Sequence, residues 1–300
     1  IETGVLAKQA DGSVTVRIGD TILLATVVAT KEAREGIDFL PLTVEYREKF
    51  SAAGRYPGGF FKRENRPSDG EVLVSRLIDR ALRPLFNDDF HGDTQVMVSL
   101  LSTDKKNPSD SIACLAAAAA LAVSDIPFNG PVSEVRVSRK NGTWSINPTF
   151  DAIENADIDL IVAGTSSDIL MVEGEMKEVS EAEMIEGIKL AHDAIKLQCQ
   201  ALNELAAAVP KSSPKRTYNH EEKDEALEKA IYNATFQKYY DIASVASAKE
   251  VRSEAFAKVK EEFVATLPEE TKAKKAMLAR YFKKAQKAGV RRVVLEKGVR

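Results

Sequence analysis

The sequence predicts an α+β fold, in which a mixed β-sheet with packed helices is followed by a small all-α domain. Segments with alternating or β-branched residues are concentrated in the first half of the chain. Apolar stripes at helical spacing lie between them. Beyond the breaker cluster at 210–214 the pattern is helical almost to the end. Strands mixed with segregated helices are typical of the α+β class.

The strand predictions depend on alternation and on turn residues. Segments 13–18 and 21–29 flank Gly19-Asp20, and Asn141-Gly142 lies between 132–138 and 143–146. Each arrangement predicts a β-hairpin, because Asn-Gly and similar pairs favour tight turns. Further strands are expected at 42–47, 94–101, 159–164 and 168–172.

Helices are predicted from apolar periodicity and from capping residues. Segment 70–83 carries one apolar stripe, and segment 111–123 is apolar nearly all round, which indicates a buried helix. Ser180 and Glu183 form a capping-box pattern that opens a helix reaching about residue 209. Three helices near 221–236, 248–266 and 269–287 are then followed by a short predicted strand at 291–295.

These elements predict a two-domain organisation. The expected parts are a first core domain at 1–210, a linker at 211–218, an all-α domain at 219–288, and the start of a connection to a second core at 289–300. The chain begins at Ile1 without a methionine and ends before any further element is completed. We therefore expect it to be part of a longer protein.

The formal net charge of −3 conceals an uneven distribution. From Lys215 onward there are 20 Lys and Arg residues against 13 Asp and Glu residues, and the rest of the chain is acidic. A basic block of this kind is either a set of solvated helix faces or a surface that contacts polyanions.

Cysteine usage and hydropathy predict a cytoplasmic protein. Cys114 and Cys199 lie within apolar helical patterns and show no metal-binding spacing. Buried free thiols in a reducing compartment are the expected state. No apolar run approaches the ~20 residues that span a bilayer, so no membrane association is expected.

One polar loop rich in glycine and proline contains Phe60 and Phe61 next to Lys62 and Arg63, with Arg66 close behind. Rings on a loop can stack on bases, and the neighbouring cations can then meet the phosphates. The alternative is that the two rings fill the core while the cations are solvated. Composition alone leaves both interpretations open.

The helix that follows favours the first interpretation. Arg76, Arg80 and Arg83 fall on one helix face, opposite the apolar stripe. Three guanidinium groups at this spacing repel one another unless an anion or nearby acids balance them. Asp79 is close enough in sequence to pair with one of them, so a salt-bridged face is the alternative. Together, the loop and the helix face favour a groove for single-stranded nucleic acid.

The same residues carry a family resemblance. The stretches PGGFFKRENRP and SRLIDRALRPLF resemble the first core domain of the bacterial polynucleotide phosphorylase family, whose two phenylalanines and two basic residues narrow an RNA channel. The likeness continues at 39–46, 147–150, 163–168 and 171–174. The resemblance implies an RNase PH-type core followed by a helical domain. It also implies a ring of three chains and possible partners in an RNA-degrading complex.

The reaction that the resemblance implies is phosphorolysis of RNA from its 3′ end, which releases nucleoside diphosphates, and the reverse polymerisation. Inorganic phosphate is the implied co-substrate and Mg²⁺ the implied cofactor. Both would be bound in a second core, at a Ser-rich turn before a helix and at an Asp-x₅-Asp-x-Lys pattern. No catalytic or metal-binding residue is therefore expected in this chain.

The corresponding positions of the first core look degenerate. The Ser-rich turn falls on Ser109-Asp110-Ser111, where a fixed carboxylate occupies the place of phosphate; we expect Ser109 or Ser111 to be a plain helix N-cap. The carboxylate pattern falls on Ile153, Asp159 and Ile161, and an isoleucine cannot bind a metal. Asp159 is therefore expected to be structural.

The leading prediction is the RNA-gripping N-terminal part of a phosphate-dependent 3′→5′ exoribonuclease that acts in mRNA degradation, inactive without its second core. The alternatives are a non-catalytic RNA-binding or assembly module and a stand-alone RNase PH-like nuclease. The helical region and the degenerate carboxylate pattern argue against the stand-alone nuclease.

Overall fold

The computed structural model describes residues 1–34, 37–58, 64, 66–218, 223–245 and 247–298. The chain forms two compact units, at 1–219 and 220–300. The first unit contains all the strands found among the described residues, and the second is helical. The predicted α+β class is therefore confirmed.

The first sheet is mixed and has five strands in the order β1-β2-β3-β5-β4. The turn at Gly19-Asp20 joins β2 to β3, as the sequence predicts, and β4 is the one strand in this sheet parallel to its neighbour. The strands are β1 (Glu2–Thr3), β2 (Gly12–Ile18), β3 (Thr21–Ala29), β4 (Leu42–Glu48) and β5 (Thr94–Ser102).

The second sheet is antiparallel, with strand order β7-β6-β8-β9. Its hairpin turns at Asn141 and Gly142, both of which have positive φ, so the Asn-Gly prediction is confirmed. The strands are β6 (Ser133–Lys140), β7 (Thr143–Ile146), β8 (Ile158–Gly164) and β9 (Ile169–Met176).

Among the described residues of the core unit, four α-helices accompany the sheets: α1 (Asp69–Leu82), α2 (Ala113–Ala122), α3 (Phe150–Ile153) and α4 (Glu181–Ala207). The apolar helix α2 is buried against both sheets and α4, as its composition predicts. At Gly12 a Cβ would lie 2.0 Å from the carbonyl oxygen of Ala120, so β2 and α2 can approach this closely only with glycine there. The Ser180–Glu183 capping box at the start of α4 is present.

The segment expected to be a linker is fastened to the core. Lys215 donates from Nζ to the carbonyl oxygen of Ser124 (2.7 Å), just beyond the end of α2. Arg216 forms ion pairs with Asp11 (2.9 Å) and with Asp125. These contacts explain why the core unit extends to residue 219 rather than ending at 210.

The second unit consists of α5 (Glu225–Ala243), α6 (Lys249–Ala265), α7 (Glu269–Ala273) and α8 (Lys275–Lys297), which enclose a separate apolar core. The predicted strand at 291–295 is wrong, because α8 continues through it. Val293 is buried and extends, at helical spacing, the stripe of Leu278, Phe282, Ala285 and Gly289. Packing of that stripe outweighs the β-preference of the valine pair.

Both cysteines are buried free thiols, as predicted. Burial raises the pKa of the Cys114 thiol well above its usual value and that of Cys199 to about 11. Among the described residues, no helix has both the length and the apolar character required to cross a bilayer.

Candidate nucleic-acid interface

Helix α1 is held by its cap and by its apolar face. The Ser68 side chain accepts from the Glu71 amide (3.2 Å), and Glu71 accepts from the Ser68 amide in return (2.6 Å). Leu77, Ile78 and Ala81 are buried in the core. Because a helix repeats every 3.6 residues, this packing turns the opposite face outward.

The outward face borders an open groove between α1 and β4. Arg76, Arg80 and Arg83 all line this arginine groove, together with Arg47 from β4, and its volume is about 450 Å³. Glu45 and Asp79 are the only acids in the described lining. The structure therefore brings the three predicted arginines together in one electropositive depression.

Arg83 is the most constrained of the three. It donates to both carboxylate oxygens of Asp79 (3.0 and 2.5 Å) and to the backbone carbonyls of Leu40 and Leu42 (3.2 Å each). Four of the five N–H groups of its guanidinium are thereby engaged. Arg83 ties α1 to β4 and to the residues just before it, and little of its donor capacity remains for a ligand.

Arg80 and Arg76 are less constrained. Arg80 donates from Nη1 to one oxygen of Glu173 on β9 (2.5 Å), and both side chains are about half exposed. Arg76 is exposed and has no ion pair or hydrogen bond within the part of the chain that the structure describes. Among the described residues, Arg76 therefore has no partner, Arg80 has one solvent-exposed partner, and Arg83 is held by four hydrogen bonds.

The rest of the predicted site lies on the loop before α1. Phe60, Phe61, Lys62 and Arg63 lie outside the described residues. Arg66 is exposed and lines a second groove of about 660 Å³. That groove shares Arg47, Glu45 and Pro67 with the arginine groove, so the two depressions adjoin one another.

Sequence reasoning missed two exposed aromatic residues in and just before this loop. Tyr56, in the same loop, is 93% exposed. Phe50 is also exposed and lines the second groove together with Lys49. Both stand next to a basic residue in a non-periodic segment, and this signal would have identified them.

A contrasting polar cluster lies where α2 begins. Arg136 on β6 donates to both oxygens of Asp159 on β8 (2.8 and 2.6 Å) and to Asp110 (2.7 Å). The side chains of this cluster are largely buried. Asp159 is thus held in a structural ion pair, as predicted.

Glu134, two residues before Arg136 on β6, adds a third carboxylate to this cluster. It is 1% exposed, and no hydrogen bond of standard geometry reaches either oxygen within the described residues. Burial, and then the nearby charge of Asp110, raise the pKa of Glu134 to about 8, while Arg136 and the backbone amide of Cys114 oppose the shift. One oxygen of Asp110 is also buried without a partner among the described residues.

The prediction that Ser109 or Ser111 caps the buried helix is wrong. A 3₁₀ turn (Asp110–Ile112) precedes α2, and Ile112 is at the N-cap position. Ser111 instead donates to the carbonyl oxygen of Pro108 (2.7 Å), and Ser109 donates to Glu48 (3.2 Å). Ser111 thus bonds within the turn and Ser109 bonds to β4, and neither hydroxyl accepts from a helix amide.

These positions do not suit phosphate or Mg²⁺. Two carboxylates, those of Asp110 and Glu134, stand near the helix start where an anion would bind. Within the described residues, no group of three or more His, Cys, Asp or Glu side chains is arranged to hold a metal ion. Asp159, the one carboxylate of the expected metal pattern, is committed to Arg136.

The fold and the comparisons with known proteins define the class. The structure resembles a chain of the Archaeoglobus fulgidus exosome, solved with RNA bound to the active site, with a TM-score of 0.54 and 15% identity over 67% of this chain and 85% of that one. At this identity the likeness shows the fold alone. The RNase PH family models confirm the predicted RNase PH-type core.

The family models agree with the fold. Domain 1 of the 3′ exoribonuclease family matches residues 1–127, and domain 2 matches residues 130–194. The two matches divide the core unit between its two sheets. The chain belongs to the 3′ exoribonuclease family.

Individual relatives are similar over the whole chain. The polyribonucleotide nucleotidyltransferases of Porphyromonas gingivalis and Parabacteroides distasonis are 55% and 54% identical to it, and the Cytophaga hutchinsonii protein of that name is 52% identical over 99% of the chain. The chain spans about two fifths of the length of these relatives: 40%, 40% and 41%, respectively.

Proposed function

We propose that this chain is the RNA-gripping N-terminal part of a phosphate-dependent 3′→5′ exoribonuclease that releases nucleoside diphosphates and serves mRNA degradation. The observation that carries the proposal is the arginine groove, where Arg76 is exposed and unpaired within the described residues. A phosphodiester would supply the anion that Arg76 lacks within the described residues. The relatives named polyribonucleotide nucleotidyltransferase support the choice of reaction.

The residues of the groove would have different roles. Arg76 makes the first contact with a phosphate, and Arg80 makes a second after leaving Glu173. Arg83 holds the wall of the groove through its bonds to Asp79 and to the backbone. Along the adjoining groove, Arg66 contacts further phosphates.

The loop before α1 would add base stacking. In this proposal Phe60 and Phe61 stack on bases, and Lys62 and Arg63 neutralise the phosphates between them. Each stacked base contributes roughly 1–3 kcal/mol without sequence preference. Tyr56, exposed in the described part of the same loop, is an additional ring for this purpose.

The chemistry itself would belong to a second core outside this chain. The cluster around Arg136 sets one arginine against the carboxylates of Asp110, Asp159 and Glu134, so it does not fit phosphate. Asp110 and Asp159 are paired with Arg136, and within the described residues no group of acids is arranged to hold Mg²⁺. We therefore assign both to the second core, and we expect the 300-residue chain alone to release no nucleoside diphosphates. Assembly of three chains into a ring, recruitment into an RNA-degrading complex and a cytoplasmic location are parts of the same proposal.

Substitution of Arg76 tests the groove. We expect Arg76→Gln to weaken binding of fluorescein-labelled oligo(A) severalfold near 0.1 M salt. The slope of log affinity against log salt should fall by about 0.7, the value for one phosphate contact on a single strand. Fluorescence anisotropy across a salt titration measures both quantities.

Lys189→Gln is the matched control, because Lys189 is exposed on α4, lines neither groove, and undergoes the same charge change. It should leave the affinity nearly unchanged. If both variants lost affinity for oligo(A) equally, the effect would be due to net charge alone. If neither variant lost affinity, the proposed contact between Arg76 and RNA would be contradicted. Unaltered RNA binding would favour an assembly module.

A further inference from the structure

Arg80 and Arg83 each face a carboxylate, but the two pairs differ in their geometry. Arg83 and Asp79 lie one turn apart on α1 and share two hydrogen bonds, reinforced by two backbone carbonyls. Arg80 makes one hydrogen bond to Glu173, which lies 93 residues away on β9. The second pair can separate without disturbing α1.

Solvent exposure also makes the Arg80–Glu173 pair exchangeable. The Arg80 side chain is 47% exposed and that of Glu173 is 56% exposed, so water can hydrate both groups as they part. Ion pairs in such surroundings contribute little to stability. The guanidinium of Arg80 keeps most of its N–H groups available, and its planar shape suits two oxygens of one phosphate.

We propose that Glu173 is a resident counter-ion that occupies the position of an RNA phosphate on Arg80 and is displaced by a bound strand. This inference rests on the proposed RNA-binding role of the arginine groove. A carboxylate and a phosphodiester each present one negative charge and hydrogen-bond acceptors to the same guanidinium. Glu173 and the strand therefore compete for Arg80.

The competition has a consequence for ligand choice. A single free anion must displace Glu173 with no other source of binding energy. A strand already held at Arg76 brings its next phosphate to Arg80 at high effective concentration. Glu173 thus selects a chain of phosphodiesters over inorganic phosphate or a mononucleotide at this position.

Glu173→Gln tests the inference, with Glu175→Gln as the matched control. Both residues are exposed on β9, two positions apart and hence on the same side of the strand, and both changes remove one negative charge. Glu175 has no hydrogen bond or ion pair among the described residues, so only the first substitution frees Arg80. We expect Glu173→Gln to bind oligo(A) about three to ten times more tightly at low salt, and Glu175→Gln to change the affinity less than about twofold.

A double-mutant cycle makes the test specific. When Arg80 is already replaced by Gln, the Glu173→Gln change should give no further gain beyond that of Glu175→Gln. Circular dichroism should show that all variants remain folded. Inorganic phosphate should bind weakly to the Glu173→Gln variant, and its binding to the wild type and to the other variants should be too weak to measure.

The outcomes separate the two proposals. If Arg76→Gln weakens binding but Glu173→Gln and Glu175→Gln behave alike, the counter-ion inference is overturned and the RNA-binding proposal stands. If the wild-type chain binds no oligo(A) and Arg76→Gln has no effect, the RNA-binding proposal itself fails.

Discussion

Arg80 and Arg136 both pair with acids on a neighbouring strand, yet they sit in opposite surroundings. The Arg80 side chain is 47% exposed and shares one hydrogen bond with one carboxylate. The Arg136 side chain is 18% exposed and is shared between Asp110 and Asp159. The first arrangement leaves donors for a ligand, whereas the second uses its charge to hold the fold.

The contrast shows that arginine–carboxylate contacts indicate function only when burial is considered. A buried pair that loses one partner leaves an uncompensated charge away from water, which costs far more than the pair contributed. An exposed pair that loses one partner is rehydrated at little cost. The arginine groove should therefore tolerate substitutions that the Arg136 cluster does not.

The largest expected effect follows from removing Arg136. Arg136→Met should lower the free energy of unfolding of the core unit by about 4 kcal/mol, because two carboxylates lose their partner while Glu134 stays buried beside them. Urea denaturation monitored by tryptophan fluorescence measures this change. Trp144, the single tryptophan, lies on β7 in the core unit and reports its unfolding.

Arg17→Met is the control for an exposed pair. Arg17 pairs with Asp20 (2.5 Å), and both side chains are mostly exposed. Its removal should change the free energy of unfolding by less than about 0.5 kcal/mol. Comparable losses in the two variants would show that burial does not separate these arginines.

Sequence patterns predicted the elements well because their signals are local. The turn at Gly19-Asp20, the stripe of α1 and the capping box of α4 each depend on residues within a few positions of one another. The arginine face of α1 was predicted for the same reason. The strand expected at 291–295 was wrong because packing of Val293 in the helical unit is a tertiary effect.

Contacts between residues that are far apart in the sequence could not be predicted from local patterns. Arg136 reaches Asp110 and Asp159 across separations of 26 and 23 residues, which depend on strand order and register. The alternating polar residues of β6 resemble the exposed face of a strand, so the burial of Glu134 gave no sequence signal. The pairing of Arg80 with Glu173 was likewise not predictable, since it spans 93 residues.

The second expected effect is a pH dependence of the free energy of unfolding that is caused by Glu134. The folded-state pKa of about 8 lies above the unfolded value near 4.5, so the protonated form is favoured in the folded protein. Its contribution to stability is fully present below pH 4.5 and is lost as pH rises toward 8. We expect the wild type to lose about 4 kcal/mol relative to Glu134→Gln between pH 5 and pH 9.

Urea denaturation at several pH values gives this difference directly. The groups facing Glu134 are Asp110 from the 3₁₀ turn, Arg136 from its own strand and Cys114 from α2. The pKa of Cys114 is raised well above its usual value, so its thiol stays neutral across this range. Glu175→Gln should keep the wild-type profile; a Glu134→Gln profile parallel to that of the wild type would refute the assignment.

The smallest expected effect comes from Arg83 and tests the difference between Arg83 and Arg76 within the arginine groove. Arg83→Gln should lower the free energy of unfolding by about 1.5 kcal/mol, because it removes hydrogen bonds to Asp79, Leu40 and Leu42. Its affinity for oligo(A) should stay within about twofold of the wild type and its salt slope should be unchanged, unlike Arg76→Gln. If Arg83→Gln instead reduced the salt slope as much as Arg76→Gln, with no loss of stability, Arg83 would be a phosphate contact. The distinction between Arg76 as an RNA-binding residue and Arg83 as a structural residue would then be wrong. The N–H groups that Arg83 uses for intramolecular hydrogen bonds would have proved as available to RNA as those of Arg76.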